Sequence, residues 1–175
     1  MDEESADMFL AALKEPVALL DTRVDSADPL LVDILGMQGN VYICRAIIIY
    51  STRFQGRAAY GSPNLMIRGT SAAWGNVIPK VGEQVLIFVN RSNADGSYAM
   101  LPWRGHFSIE TIKERLHAIA NWHLLSKEET GLWGPPKLRA AAFMPDPAKP
   151  WRVAIPFDVL ECHLEEVLSG HLQSR

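Results

Sequence analysis

The sequence predicts an α+β domain, an antiparallel β-barrel with helices packed on it at 108–125 and 158–170. Two runs, Val41–Tyr50 and Gln84–Asn90, are dense in β-branched and aromatic residues, the composition that suits a pleated, half-buried surface. The cluster Asn93-Ala94-Asp95-Gly96 follows the second run and opens into Ser97–Leu101, which is the composition of a hairpin turn. Past Ser108 the period changes, and Ile109, Ile112, Leu116 and Ile119 recur at helical offsets of 0, 3, 7 and 10.

Taken in chain order, Ser5 to Glu15 reads as a short helix ending before Pro16, since a residue preceding proline is pushed out of the helical region. Pro16 to Val24 is a candidate first strand, and Asp25 to Pro29 has turn composition. The run Leu30–Leu35 is too short to classify by period. Val41–Tyr50 is apolar on both alternating faces except at Arg45, the pattern of a strand covered on both sides. On that pattern Ile47, Ile49, Leu86 and Phe88 are expected in the core. A short strand, Asn64–Arg68, is closed by Gly69, and the close turns before and after Gln84–Asn90 predict an antiparallel meander. Ser108 is the expected N-cap of the first packed helix, with Glu110 in its first turn. A loop rich in Gly and Pro spans 128–137, residues 144–150 are irregular, and Trp151–Ile155 is a last strand. Asp158 with Glu161 opens the second helix, whose apolar face is Leu160, Leu164, Val167 and Leu168 and whose cap is Gly170.

A chain of 175 residues makes one domain and buries a core without staples. The five tryptophans, Trp74, Trp103, Trp122, Trp133 and Trp151, read first as packing residues. Charge is segregated. Residues 1–37 carry nine acids against Lys14 and Arg23, a net of −7, and residues 38–109 carry seven bases against Glu83 and Asp95, a net of +5. Such asymmetry marks either a partner surface or an acidic terminus that packs on the basic middle of its own chain. The organisation is thus one domain over 1–175, with an acidic segment at 1–37, a barrel core at 38–107, and helices with a Pro-rich loop at 108–175. No apolar run reaches the 18 residues of a spanning helix, and the start lacks a cationic signal region. The expected location is the cytoplasm for the chain as it stands, or the periplasm or exterior where a leader has been removed. Cys44 and Cys162 do not make a disulfide framework, and one bridge between them fits only an exported protein.

Residues 41–107 resemble the netrin-like domains of the tissue-inhibitor-of-metalloproteinase type. Four pieces carry the resemblance in order: Val41–Gly56, with its strand leading to Phe54-Gln55-Gly56; Leu65–Gly69; the Pro79-x-Val81-Gly82-Glu83 turn feeding Val85–Val89; and Gly96-Ser97-Tyr98. The resemblance implies an OB-like, five-stranded barrel used as a binding surface. The vertebrate inhibitors of that type carry an N-terminal metal-binding cysteine and several disulfides. This chain has neither, so no inhibitory residue carries over.

Catalytic and metal chemistry find no matching spacing. His117 and His123 are six apart and diverge by about 120° on a helix. Cys162-His163 has no second Cys/His cluster at zinc spacing. Cys44 sits in the most apolar run, where a thiol is packing. Gly69-Thr70-Ser71 lacks the closing glycine of a nucleophile elbow, and Ser71, His106 and Asp95 are triad residue types that no spacing rule selects. Phosphate-loop motifs are absent. The Arg residues 45, 53, 57, 68 and 104 are interleaved with Tyr42, Tyr50, Tyr60, Trp74 and Trp103, a mixture suited to a binding face. With a pI near 5.9, a protein partner fits better than nucleic acid. The expectation is a non-catalytic protein-binding module, in its sharpest form a bacterial inhibitor or toxin-neutralising immunity protein. Its contact residues are Arg53, Arg57, Tyr60, Arg68, Trp74, Trp103 and Arg104. No cofactor, metal or membrane insertion is expected. The alternatives are an OB-type binder of single-stranded nucleic acid and a small enzyme whose site follows none of these spacings.

Overall fold

The computed structural model describes residues 28–51, 54, 56, 60–69, 79–100, 106–121, 136–149 and 152–173. Eight strands lie among them: β1 (Asp28–Gln38), β2 (Val41–Ile49), β3 (Leu65–Arg68), β4 (Gln84–Ser92), β5 (Tyr98–Met100), β6 (His106–Ile112), β7 (Arg115–Asn121) and β8 (Arg152–Pro156). A short helix α1 (Pro136–Ala141) precedes β8, and α2 (Phe157–Gln173) follows it. The strands form one sheet in the order β1-β2-β3-β5-β4-β6-β7-β8, and β4 also pairs with β1. That extra pairing closes β1-β2-β3-β5-β4 into a five-stranded barrel, from which β6, β7 and β8 extend.

β1 comes out of the acidic segment and begins inside the stretch with turn composition. Its period is broken because its register with β2 slips at two places, leaving Leu35 of β1 and Ile47 of β2 without partners. These β-bulges reset the phase of the side chains. In β2, Tyr42, Cys44 and Ala46 therefore face inward, and Ile49 packs inward only beyond the bulge. Ile47 is only partly buried and lies outside the barrel's core cluster, which corrects the expected core assignment at that position.

Two further expectations are corrected. β3 does not pair with β4; it lies antiparallel to β2 and parallel to β5, so the predicted meander breaks between its first strand and its second. The hairpin between β4 and β5 is present as read. The segment read as a helix over 108–125 is a second hairpin through residue 121, with β6 antiparallel to β7, and residues 122–125 lie outside the described ones. Ser108 sits mid-strand opposite Ile119 rather than capping a helix. The turn is Lys113-Glu114, both at positive φ (50° and 65°), as a two-residue type I′ turn demands. Lys and Glu are not the Asn-Gly pair that normally announces such a turn, so the sequence carries no hairpin cue there.

The second predicted helix is present as α2, with Leu160 and Leu164 buried on the face read from the sequence, but it starts one residue before Asp158 and runs three past Gly170, so that glycine does not cap it. It covers β7 and β8 and forms, with Leu86, Phe88, Phe107, Ala118, Leu138, Val153 and Ile155, a core outside the barrel. The barrel interior holds Leu30, Val32, Ile34, Tyr42, Cys44, Leu65, Ile67, Val85, Ile87, Val89 and Met100. β4 feeds both cores: Val85, Ile87 and Val89 fill the barrel, and Leu86 and Phe88 reach the helix layer. Tyr50, just past β2, donates to Glu161 of α2 at 2.6 Å and ties barrel to helix. Burial, then the bond to Glu161, push that phenol's pKa upward. Arg115 grips both carboxylate oxygens of Asp158 at 2.7 and 2.9 Å, pinning the start of α2 to the β6–β7 hairpin.

Phe88 is fully buried and meets Phe107 edge-on at 6.0 Å between ring centroids. Phe88→Ala is predicted to cost about 3–5 kcal/mol through lost transfer energy and the cavity left behind. Chemical denaturation checks this, and a loss under 1 kcal/mol would contradict the two-core arrangement.

Candidate binding surface

Two regions of the barrel exterior collect side chains that packing alone does not consume. The first is the outer face of β1, β2 and β3. Inward residues alternate with outward ones along β3, so Met66 and Arg68 point out while Leu65 and Ile67 are buried. Across the ladder Ile43 faces Met66, and Val41 faces Arg68. On the other side Ile43 faces Gly36, which has no side chain to cover it. The unpaired bulge residue Leu35 lies beside that gap, 41% exposed. The result is an apolar shelf of Leu35, Ile43 and Met66, with the exposed Arg45 opposite Asp33 toward one end.

Arg68 closes the other end. Its guanidinium donates to Asn40 Oδ1 at 3.2 Å, in the turn between β1 and β2, and to Asp95 Oδ2 at 2.7 Å, in the turn between β4 and β5. One side chain thus laces the two turns together. Asp95 also accepts from the Ser97 backbone N at 3.0 Å and from Ser97 Oγ at 2.6 Å. These Ser97 bonds, then the Arg68 bond, hold its carboxyl down at about 2. Gly69 is needed next to this clamp for close approach, because a Cβ there would run into the ring of Tyr42. Its amide donates to Asn40 O at 2.6 Å.

The second region is a shallow hollow of about 280 Å³ lined by Ile47, Ile48, Ile49 and Tyr60. Tyr60 is 63% exposed and bridges to Ala46. Arg68 stands opposite Val41, five residues along β2 from Ala46, or about 16 Å at strand rise. Of the contact residues read from the sequence, these two are placed, and they belong to separate regions. Arg53, Arg57, Trp74, Trp103 and Arg104 lie outside the described residues. Tyr42 leaves the predicted face altogether: its ring is inside the barrel, where burial pushes its phenol up to about 12. Leu35, Ile43, Met66, Asn40 and Asp95 were not singled out from the sequence as contact residues. Leu35 and Ile43 emerge only when the bulge positions are known, and Asn40 and Asp95 only when the two turns are seen side by side.

Cys44 is buried and its thiol is raised to about 12, so it is neutral packing, whereas Cys162 is exposed on α2; the two are not joined in a disulfide. Among the described residues no three His, Cys, Asp or Glu gather as metal ligands, and no helix is long and apolar enough to cross a membrane. Comparison with protein-family models, curated proteins and solved structures finds no match to this chain.

Asp95 is the group whose titration reports on the clamp. Its folded pKa lies below the ordinary carboxylate value, so the stabilisation it provides is present above about pH 4 and is lost as pH falls toward 2. The carboxylate NMR titration is predicted to have its midpoint near 2. Ser97→Ala and Arg68→Ala should each raise it, and an unmoved midpoint in both variants would refute the clamp.

Proposed function

We propose that this chain is a non-catalytic protein-binding module built on an OB-type barrel, with the outer face of β1–β3 as its contact surface. The strand order β1-β2-β3-β5-β4, closed by β4 on β1, with β3 parallel to β5, supports the OB-type reading. Barrels of that type bind on the face of their second and third strands and on the loops joining strands one to two and four to five. The netrin-like resemblance of residues 41–107 favours an inhibitory or toxin-neutralising form of such binding.

One observation carries the choice of a protein partner, the apolar shelf of Leu35, Ile43 and Met66 with Arg45 toward its rim. An apolar centre with arginine beside it is the chemistry of a protein interface. A single-strand groove instead sets out aromatic rings for base stacking along a basic track. Arg68, which would serve such a track, is already held by Asp95.

Two measurements test the proposal together. Ile43→Glu and Met66→Glu, on the outward face, should leave the fold intact by circular dichroism yet abolish retention of the partner that the wild-type chain captures. Fluorescence anisotropy with single-stranded oligonucleotides should show no binding tighter than about tens of micromolar, even at low salt. Micromolar binding that falls steeply with salt, and is lost in Arg53→Ala with Arg57→Ala, would overturn the protein-partner reading in favour of nucleic acid.

A further inference from the structure

We infer that the hollow lined by Ile47, Ile48, Ile49 and Tyr60 is a docking site for the chain's own N-terminal segment, with Phe9 and its apolar neighbours as the anchor. The inference goes beyond the proposed partner face and does not depend on it.

The hollow lies at the bulge in β2, where Ile47 is the residue left without a cross-strand partner. Among the described residues its lining is three isoleucines and a phenol ring. Its volume, about 280 Å³, falls just below the ~300–1,000 Å³ typical of small-molecule pockets, and suits one or two inserted side chains.

Position selects the occupant. Ile49 and Ile48 pair with Leu30 and Leu31, close to where β1 begins at Asp28. The 27 residues before Asp28 therefore join the barrel beside the hollow. Within them Ala6, Phe9, Leu10 and Leu13 recur at offsets 0, 3, 4 and 7, which puts all four on one face if the segment is helical. The fifteen residues from Leu13 to Asp28 span up to ~50 Å when extended, more than enough to turn back onto β2.

Charge points the same way. Residues 1–27 hold seven acids against Lys14 and Arg23. On the barrel side, Arg45 is exposed two residues before Ile47, and the connection from Ile49 to Tyr60 carries Arg53 and Arg57. An acidic segment with apolar residues at helical spacing is complementary to an apolar hollow whose chain neighbours are basic.

The test uses the full chain with a photo-reactive phenylalanine analogue at position 9, irradiated at low micromolar concentration. Cross-links from position 9 to a peptide spanning 47–60, in monomeric protein, are the expected result. Cross-links confined to other regions, or found only in dimers, would overturn the inference, the latter by showing a second copy as the occupant. In parallel, Phe9→Asp should speed amide hydrogen exchange in residues 47–60 by tenfold or more while leaving β7 and β8 unchanged. Unaltered exchange in 47–60 would equally overturn it. Neither readout involves a partner protein, so failure here is distinguishable from failure of the proposed function.

Discussion

Burial of β4 on both faces is the constraint from which the rest of this structure follows. Val85, Ile87 and Val89 point into the barrel, while Leu86 and Phe88 point into the layer beneath α2, and all five are excluded from water. At about 1.5–3 kcal/mol for each large apolar side chain, those five contribute roughly 10 kcal/mol, comparable with the net stability of a whole domain. The strand's edges are shared in the same way. One edge pairs with β1 along Gln84–Val89; the other takes β6 opposite Val85–Ile87 and then β5 opposite Val89–Ser92. The barrel and the helix-covered extension are therefore not two modules in series. They are two cores built against opposite sides of one strand.

That constraint also decides how much could be read from the residues. A strand covered on both faces is a continuous apolar run, and Gln84–Asn90 was legible for that reason; Val41–Tyr50 was legible by its β-branched and aromatic density, although its outer face carries the exposed Arg45 instead of the cover expected for it. The turn at 93–96 was legible because its glycine sits at φ 85°, a backbone that glycine adopts without strain. The hairpin of β6 and β7 was not. Ile109, Ile112, Leu116 and Ile119 match a helical period, yet in the structure Ile119 is buried and Leu116 is 46% exposed. In the hairpin Ile109 and Ile112 stand opposite Ala118 and Arg115, and Leu116 and Ile119 stand opposite Thr111 and Ser108, so the helical spacing of the four only imitates a shared face. The usual asparagine or glycine would have exposed the imitation, but Lys113 and Glu114 occupy the left-handed positions.

The candidate surfaces depend on the same kind of local irregularity. A regular β1–β2 ladder would turn Leu35 and Ile47 to fixed faces and give each a cross-strand neighbour. Two slips in register leave both without one, and Gly36 opposite Ile43 leaves that side chain uncovered as well. Sequence alone identified Arg68 and Tyr60 as contact residues but treated them as one mixed basic and aromatic face. The ladder separates them, assigning Arg68 to a clamp between two turns and Tyr60 to an apolar hollow. β-bulges at sheet surfaces re-aim side chains, and here they turn isoleucine and leucine toward solvent where a partner or another segment of the chain can cover them.

Native-state hydrogen exchange followed residue by residue tests the shared-strand account most directly. If β4 couples the two cores, the slowest amides of β2 in the barrel and of α2 and β8 in the outer layer should open with the same free energy and the same denaturant dependence, as one cooperative unit. Opening of α2 and the β6–β8 strands at several kcal/mol below the barrel, with the barrel amides still protected, would contradict it.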